Sequence, residues 1–190
     1  AQERGDVRQG LKILEKAGEY ARMNNSSMVT ERHTRKATET IETDEILSCL
    51  EDDLTRHQAL TYLATTLAII EPNHDARTKR IYNLYVSLAD AIGTDARSER
   101  KLYEFLDQLS MQGFVRSEEE NKGSSGGRKF IYEVTDDPAD VINATEKSDY
   151  STALPDNVWD ILKHHKEDEA TSFDAPDPGN KAQRQIWNFT

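Results

Sequence analysis

One β-hairpin in an otherwise helical pattern constrains this chain more than anything else in it. In FVRSEEENKGSSGGRKFIYEV, Phe114 to Val134, two short β-prone segments flank a glycine-rich, basic tip. The second segment alternates, with Phe130, Tyr132 and Val134 on one face and Lys129, Ile131 and Glu133 on the other. A lone hairpin is marginal in water, so it must pack against its neighbours.

Those neighbours have helical spacing. Residues 6–23 repeat Val7, Leu11, Leu14, Ala17 with Gly18, and Ala21 at helical spacing, predicting a helix capped by Asp6. Asn24 to Ser27 is a turn. A second helix follows over 31–51, capped by Thr30 and stapled by Val29, with Ala37, Ile41, Ile46, Leu47 and Leu50 inward and a break near Thr43-Asp44. Thr55 and Gln58 stand at capping-box spacing before the apolar block Ala59 to Ile70, and Glu71 to Asp75 stops that third helix. A fourth spans about 78–92, with Ile81, Leu84, Tyr85, Leu88 and Ile92 on one face and Gly93 past its end. The fifth, about 96–112, carries Leu102, Phe105, Leu106 and Leu109 inward and ends at Gly113. Three helices and then a hairpin is the pattern of a winged helix-turn-helix. The predicted fold is mainly α with one small β-hairpin: a helical segment over 1–53, then a winged-helix domain over 54–136.

Beyond 136 the pattern weakens. Pro138 to Ala144 forms a helical turn or two, and 157–165 a short amphipathic helix. The rest of 137–190 is read as an acidic, largely disordered tail, and the apolar patch Ile186 to Phe189 is assigned no role. Of the 35 acidic and 24 basic side chains, residues 136–190 hold 12 and 5, leaving 23 and 19 for residues 1–135. Net charge is therefore −7 in the tail and −4 elsewhere, −11 in all. Either the tail is solubilising or the whole protein is adapted to very high salt.

Composition excludes several classes. No apolar run nears the roughly 18 residues needed to cross a bilayer, and AQERGDVRQG lacks the apolar stretch of a secretory signal. A soluble, cytoplasmic protein without a membrane partner is expected. The single cysteine, Cys49, rules out an intrachain disulfide and sits among Ile46, Leu47 and Leu50 as a small buried residue. There is no phosphate-loop, HExxH or GxSxG motif. His164-His165 read as solvated, Glu118 to Glu120 as a solvated strand end, and no metal site is predicted. The chain is not expected to be an enzyme, and no cofactor is expected in it.

The positive signal is cationic. Arg97, Ser98, Arg100 and Lys101 gather at the start of the fifth helix, where helix N–H groups attract phosphate. In helix-turn-helix proteins this end enters the major groove, and arginine reads guanine bidentately. At the hairpin tip, Lys122, Arg128 and Lys129 stand with no acid between Asn121 and Phe130, placed to contact the adjacent groove or backbone. Thr78 and Lys79, opening the fourth helix, are candidates to anchor a phosphate. Double-stranded DNA is thus the expected partner. Against it stand Glu99, Glu104 and Asp107 on the same helix, and the net charge. At about 1 M salt, however, the screening length is only about 3 Å, so distant repulsion fades while direct hydrogen bonds survive.

Several phrases, in order, resemble archaeal replication initiators of the origin-recognition and cell-division-control type, AAA+ ATPases with a C-terminal winged helix. GDVRQGLKILEKAGEYA (Gly5 to Ala21) is similar to their last lid helix, VTERHTRKATETIETDEIL (Val29 to Leu47) to their connecting helix, and LTRHQALTYLATTLAI (Leu54 to Ile69) to their first winged-helix helix. IYNLYVSLADAIG and RSERKLYEFLDQLSMQGFV resemble the second and recognition helices. The resemblance covers about residues 5–135. It implies duplex origin-DNA recognition through the winged helix, with other replication proteins, or the chain itself, as further partners. It also places a nucleotide-sensing arginine at Arg8, idle here because the ATPase core is missing from this chain. ATP and magnesium would enter only with an upstream core. The chain then reads as a fragment or a truncated paralogue of such an initiator. A protein-interaction winged helix and a transcription regulator of the same fold are the alternatives.

Overall fold

A computed structural model describes the backbone of residues 2–72, 75–120 and 129–173, and the side chains of these except residues 2–6, 8, 120, 129 and 166–173. Helix α1 (Gln2–Met23) runs into a turn and α2 (Glu31–Ser48). After a π-helical turn, Cys49–Asp53, come α3 (Arg56–Ile70), α4 (Thr78–Ala91) and α5 (Glu99–Gln112). The hairpin β1 (Val115–Glu120) and β2 (Lys129–Val134) follows, then α6 (Pro138–Lys147), a 3-10 turn at Ser151–Ala153, and α7 (Val158–Phe173).

The apolar block makes α3 the central helix, buried nearly all round from Gln58 to Ile70. Its threonines are tolerated there because each satisfies its own hydroxyl: Thr61, Thr65 and Thr66 donate to the carbonyls of His57, Thr61 and Tyr62 at 2.6, 2.8 and 3.1 Å. The predicted capping box forms, with the Thr55 N–H donating to Gln58 Oε1 at 2.9 Å. Gln58 then reaches on to Gln108 Oε1 at 2.9 Å, tying the start of α3 to the flank of α5.

Around α3 pack α4, through Ile81, Tyr85 and Leu88, and α5, through Leu102, Leu106 and Leu109. Each such leucine contributes about 1.5–3 kcal/mol relative to exposure. Gly113 closes α5 at φ +87°, where the Phe114 N–H returns to Leu109 O at 3.0 Å and the chain enters β1 directly. The hairpin is antiparallel, from Val115 opposite Val134 to Glu120 opposite Lys129. The α3–α4 connection adds a third rung: Ile131 bridges to Arg77, and the Tyr132 N–H donates to Ala76 O at 3.0 Å. Three helices carrying a hairpin fastened on both sides is a winged helix.

Several expectations are corrected. Helix α1 begins at Gln2, ahead of Asp6, and it meets α2 through Ala17 and Ala21. Val7, Leu11 and Leu14, which share the apolar face of α1, are 63%, 61% and 59% exposed, because nothing among the described residues covers that side of the helix. Val29 is exposed and staples nothing; instead His33 Nδ1 accepts the Thr30 N–H at 3.2 Å to cap α2. Helix α2 does not break at Thr43, whose hydroxyl donates to Glu39 O at 2.8 Å, and the irregularity lies at 49–53, where the Leu54 N–H donates to Cys49 O. Cys49 is half-buried, not buried. Helix α5 starts at Glu99 rather than 96.

The largest correction concerns the tail, whose first part is folded. Asp137 caps α6 by accepting the Ala139 N–H at 2.7 Å, and Pro138 opens the helix. Val141, Ile142 and Ala144 of α6, Ala153, and Val158 and Leu162 of α7 all join the core around α3. Helix α7 continues to Phe173, past the predicted end at 165. Residues 174–190, including Ile186 to Phe189, lie outside the described residues.

Candidate nucleic-acid interface

The leucine face of α5 fixes which side of that helix meets solvent. At its start Arg97, Ser98, Arg100 and Lys101 are all exposed and adjacent in the chain. Ser98 occupies the N-cap position in extended geometry, and its hydroxyl does not cap the helix. Arg100 makes no hydrogen bond or salt bridge among the described residues. Lys101 is engaged by Glu104 one turn on, in a short contact. That hydrogen bond from Lys101 holds the Glu104 carboxyl below the usual range.

Arg97 is the most tightly placed of the four. Its N–H donates to the Tyr85 hydroxyl at 2.9 Å, and its Nε donates to His57 Nε2 at 3.2 Å. Tyr85 and His57 Nδ1 are 2.8 Å apart. Since His57 Nε2 accepts from Arg97, the neutral ring carries its proton on Nδ1 and donates to Tyr85. Burial, then the charges of Arg97 and Arg56, push the His57 pKa down; burial pushes the Tyr85 phenol up.

The other predicted site residues divide. Lys79 is exposed in the first turn of α4. Thr78 is buried, so little of it is open to a phosphate. Lys129 stands opposite Glu120 at the end of the ladder, but its side chain, like that of Arg8, lies outside the described residues. So do Lys122 and Arg128 entirely.

Sequence reading missed the cleft between α5 and the hairpin, about 370 Å³, lined by Tyr103, Asp107, Ser110, Ser117, Phe130 and Tyr132 among others. Tyr103 is 47% exposed at its mouth, one turn beyond Arg100. An exposed aromatic at helical spacing from a basic residue was the available signal. Among the described residues no group of three or more His, Cys, Asp or Glu side chains is placed to hold a metal ion. No described helix is long and apolar enough to cross a membrane.

Residues 50–144 match the model of the CDC6 C-terminal winged helix domain, and residues 1–39 that of the Cdc6 AAA+ ATPase-type lid domain. The chain belongs to the Cdc6/ORC1 family. Its winged-helix match takes in most of α6, in keeping with the packing of that helix on the core. ORC1-type DNA replication protein 8 of Haloarcula marismortui is 67% identical over all 190 residues, which span 43% of that relative's length. ORC1-type DNA replication protein 1 of the same organism is 38% identical over 70% of this chain and 31% of its own length. Less than half of each relative is thus represented, and the represented part is the lid and winged helix. In three dimensions the chain is similar to the Aeropyrum pernix ORC1 protein solved in complex with DNA, with a TM-score of 0.58 and 25% identity over 76% of this chain and 37% of that one.

Proposed function

We propose that this Cdc6/ORC1 chain grips duplex DNA at replication origins in the cytoplasm, with the exposed N-terminal end of α5 in the major groove and the hairpin tip alongside. One observation carries the reading: Arg97, Ser98, Arg100 and Lys101 stand together in solvent at the tip of the recognition helix, in a fold similar to an ORC1 protein solved with DNA. Lys79, and the hairpin cations Lys122, Arg128 and Lys129, supply phosphate contacts in this account. The chain itself turns over no ATP, and Arg8 senses nucleotide only where an ATPase core accompanies it.

The test is duplex affinity in about 1 M KCl, where screening removes the long-range repulsion of the acidic surface. The probe is a duplex selected by the chain from a random-sequence pool, compared with its scrambled version. Arg100→Ala is expected to cost about 1–3 kcal/mol on the selected duplex and little on the scrambled one. Equal affinity of Arg100→Ala and wild type for the selected duplex contradicts the assignment.

A second reading, a protein-docking module, is favoured by the exposed apolar stripe Val7, Leu11 and Leu14 on α1. Indifference to duplex at every salt concentration, with a mass that grows with protein concentration, would select it.

A further inference from the structure

Arg97 differs from the other cations at the tip of α5 in being held before any ligand arrives. It lies outside the helix, in the segment between α4 and α5, where backbone hydrogen bonds constrain a side chain least. Yet both its backbone N–H and its Nε are bound, the first by Tyr85 from α4 and the second by His57 from α3. The imidazole that does the holding is itself fixed. It stacks on Phe105 of α5 at 5.8 Å between ring centres and 8° between planes, and Tyr85 stands 6.1 Å away on another side. The two terminal nitrogens of Arg97 have no partner among the described residues, so the fork remains available to a guanine edge or a phosphate.

We infer that His57 and Tyr85 are positioning residues for DNA recognition: together they present the guanidinium of Arg97 to the duplex in a fixed orientation. This rests on the reading of α5 as the DNA-facing helix. The physical gain is entropic. An arginine free to rotate must be immobilised on binding, and one already held avoids most of that cost, which amounts to about threefold to tenfold in affinity for a rotamer-rich side chain.

The test is a double-mutant cycle on the whole chain with the selected duplex, joined to a proton-resonance titration of the His57 ring in the free protein. Arg97→Ala is expected to weaken binding. His57→Ala is expected to weaken it about fivefold when Arg97 is present and less than about twofold when Arg97 is already alanine. His57→Gln, which keeps an acceptor where Nε2 stood, should recover most of the loss. Where His57→Ala fails to fold, Tyr85→Phe, which removes only the hydroxyl, takes its place in the cycle with a loss of the same sign. In the titration His57 should ionise below an ordinary histidine, and its midpoint should rise in Arg97→Ala; Arg56 and Tyr85, the other groups facing the ring, stay in place. Equal losses in both backgrounds, or a His57 midpoint indifferent to Arg97→Ala, overturn the inference and leave the proposed function standing. Undiminished duplex binding by Arg97→Ala, or no binding by the wild type, removes the proposed site and this inference with it.

Discussion

At the scale of single residues, the tip of α5 shows cations under different restraint. Among the described residues Arg100 makes no hydrogen bond or ion pair, though its charge acts on Glu104; Arg97 is held by His57 and Tyr85, and Lys101 is occupied by Glu104. An exposed pair of this kind is worth little to the fold, but a bound lysine must leave its carboxylate before meeting a phosphate. Glu104→Gln is therefore expected to raise duplex affinity, by about twofold to fivefold, with unchanged melting temperature. A fall in affinity would mean that Glu104 itself contacts DNA, as carboxylates do at cytosine. His57 leaves its mark on the pH dependence of folding. Its folded pKa is lowered, chiefly by burial and then by Arg97 and Arg56, so the unfolded chain binds the proton more readily. The contribution is present above the unfolded value of about 6.5 and is lost as pH falls through that value toward the folded one. Thermal melts from about pH 7.5 to about pH 5.5 should show a loss of stability that is smaller in His57→Gln. An identical slope in the variant would contradict the burial of a neutral ring there.

Among elements, the informative one is α6. Its buried face, Val141, Ile142 and Ala144, is fully covered by the winged-helix core. Ile142→Ala is expected to cost about 2–5 kcal/mol, read as a shift in a denaturant midpoint. A change below about half a unit of that range would return α6 to the status of a loose appendage. The sequence made α3 legible as an apolar block behind a capping box, α4 and α5 as apolar stripes closed by a glycine, and the hairpin by the alternation of its second strand beside a glycine-rich connection. Helix α6 is periodic but only ten residues long, with four buried positions beside an acidic flank, so its shortness allowed the sequence no more than a helical turn or two there. Helix α1 misled in the opposite sense. Its stripe is real, but a stripe says only that a face wants cover, and Val7, Leu11 and Leu14 find none among the described residues. The Arg97 network was illegible because His57, Tyr85 and Arg97 come from separate elements, and no spacing rule joins them. The cations of α5, by contrast, are neighbours in the chain, which is why sequence alone singled them out.

For the whole molecule the governing fact is an anion that carries a small cationic tip. The acids are not spread evenly. Glu42, Glu45, Asp136, Asp137 and Asp140 line one cleft of about 470 Å³ beside α2 and α6, where burial and then the neighbouring carboxylates raise the Glu42 pKa. Such a surface is costly in dilute buffer and well tolerated when screening is short-ranged. In high salt little affinity comes from counterion release, so under the proposed function direct contacts from the tip of α5 would carry recognition. The most direct measurement is therefore an amide proton–nitrogen correlation spectrum of the whole chain, titrated with the selected duplex in about 1 M KCl. The account predicts that perturbation centres on residues 97–103 and the hairpin, with the exposed stripe of α1 and the acidic cleft unmoved. Perturbation centred on α1, or no response at the start of α5 under conditions where the duplex is bound, would contradict it.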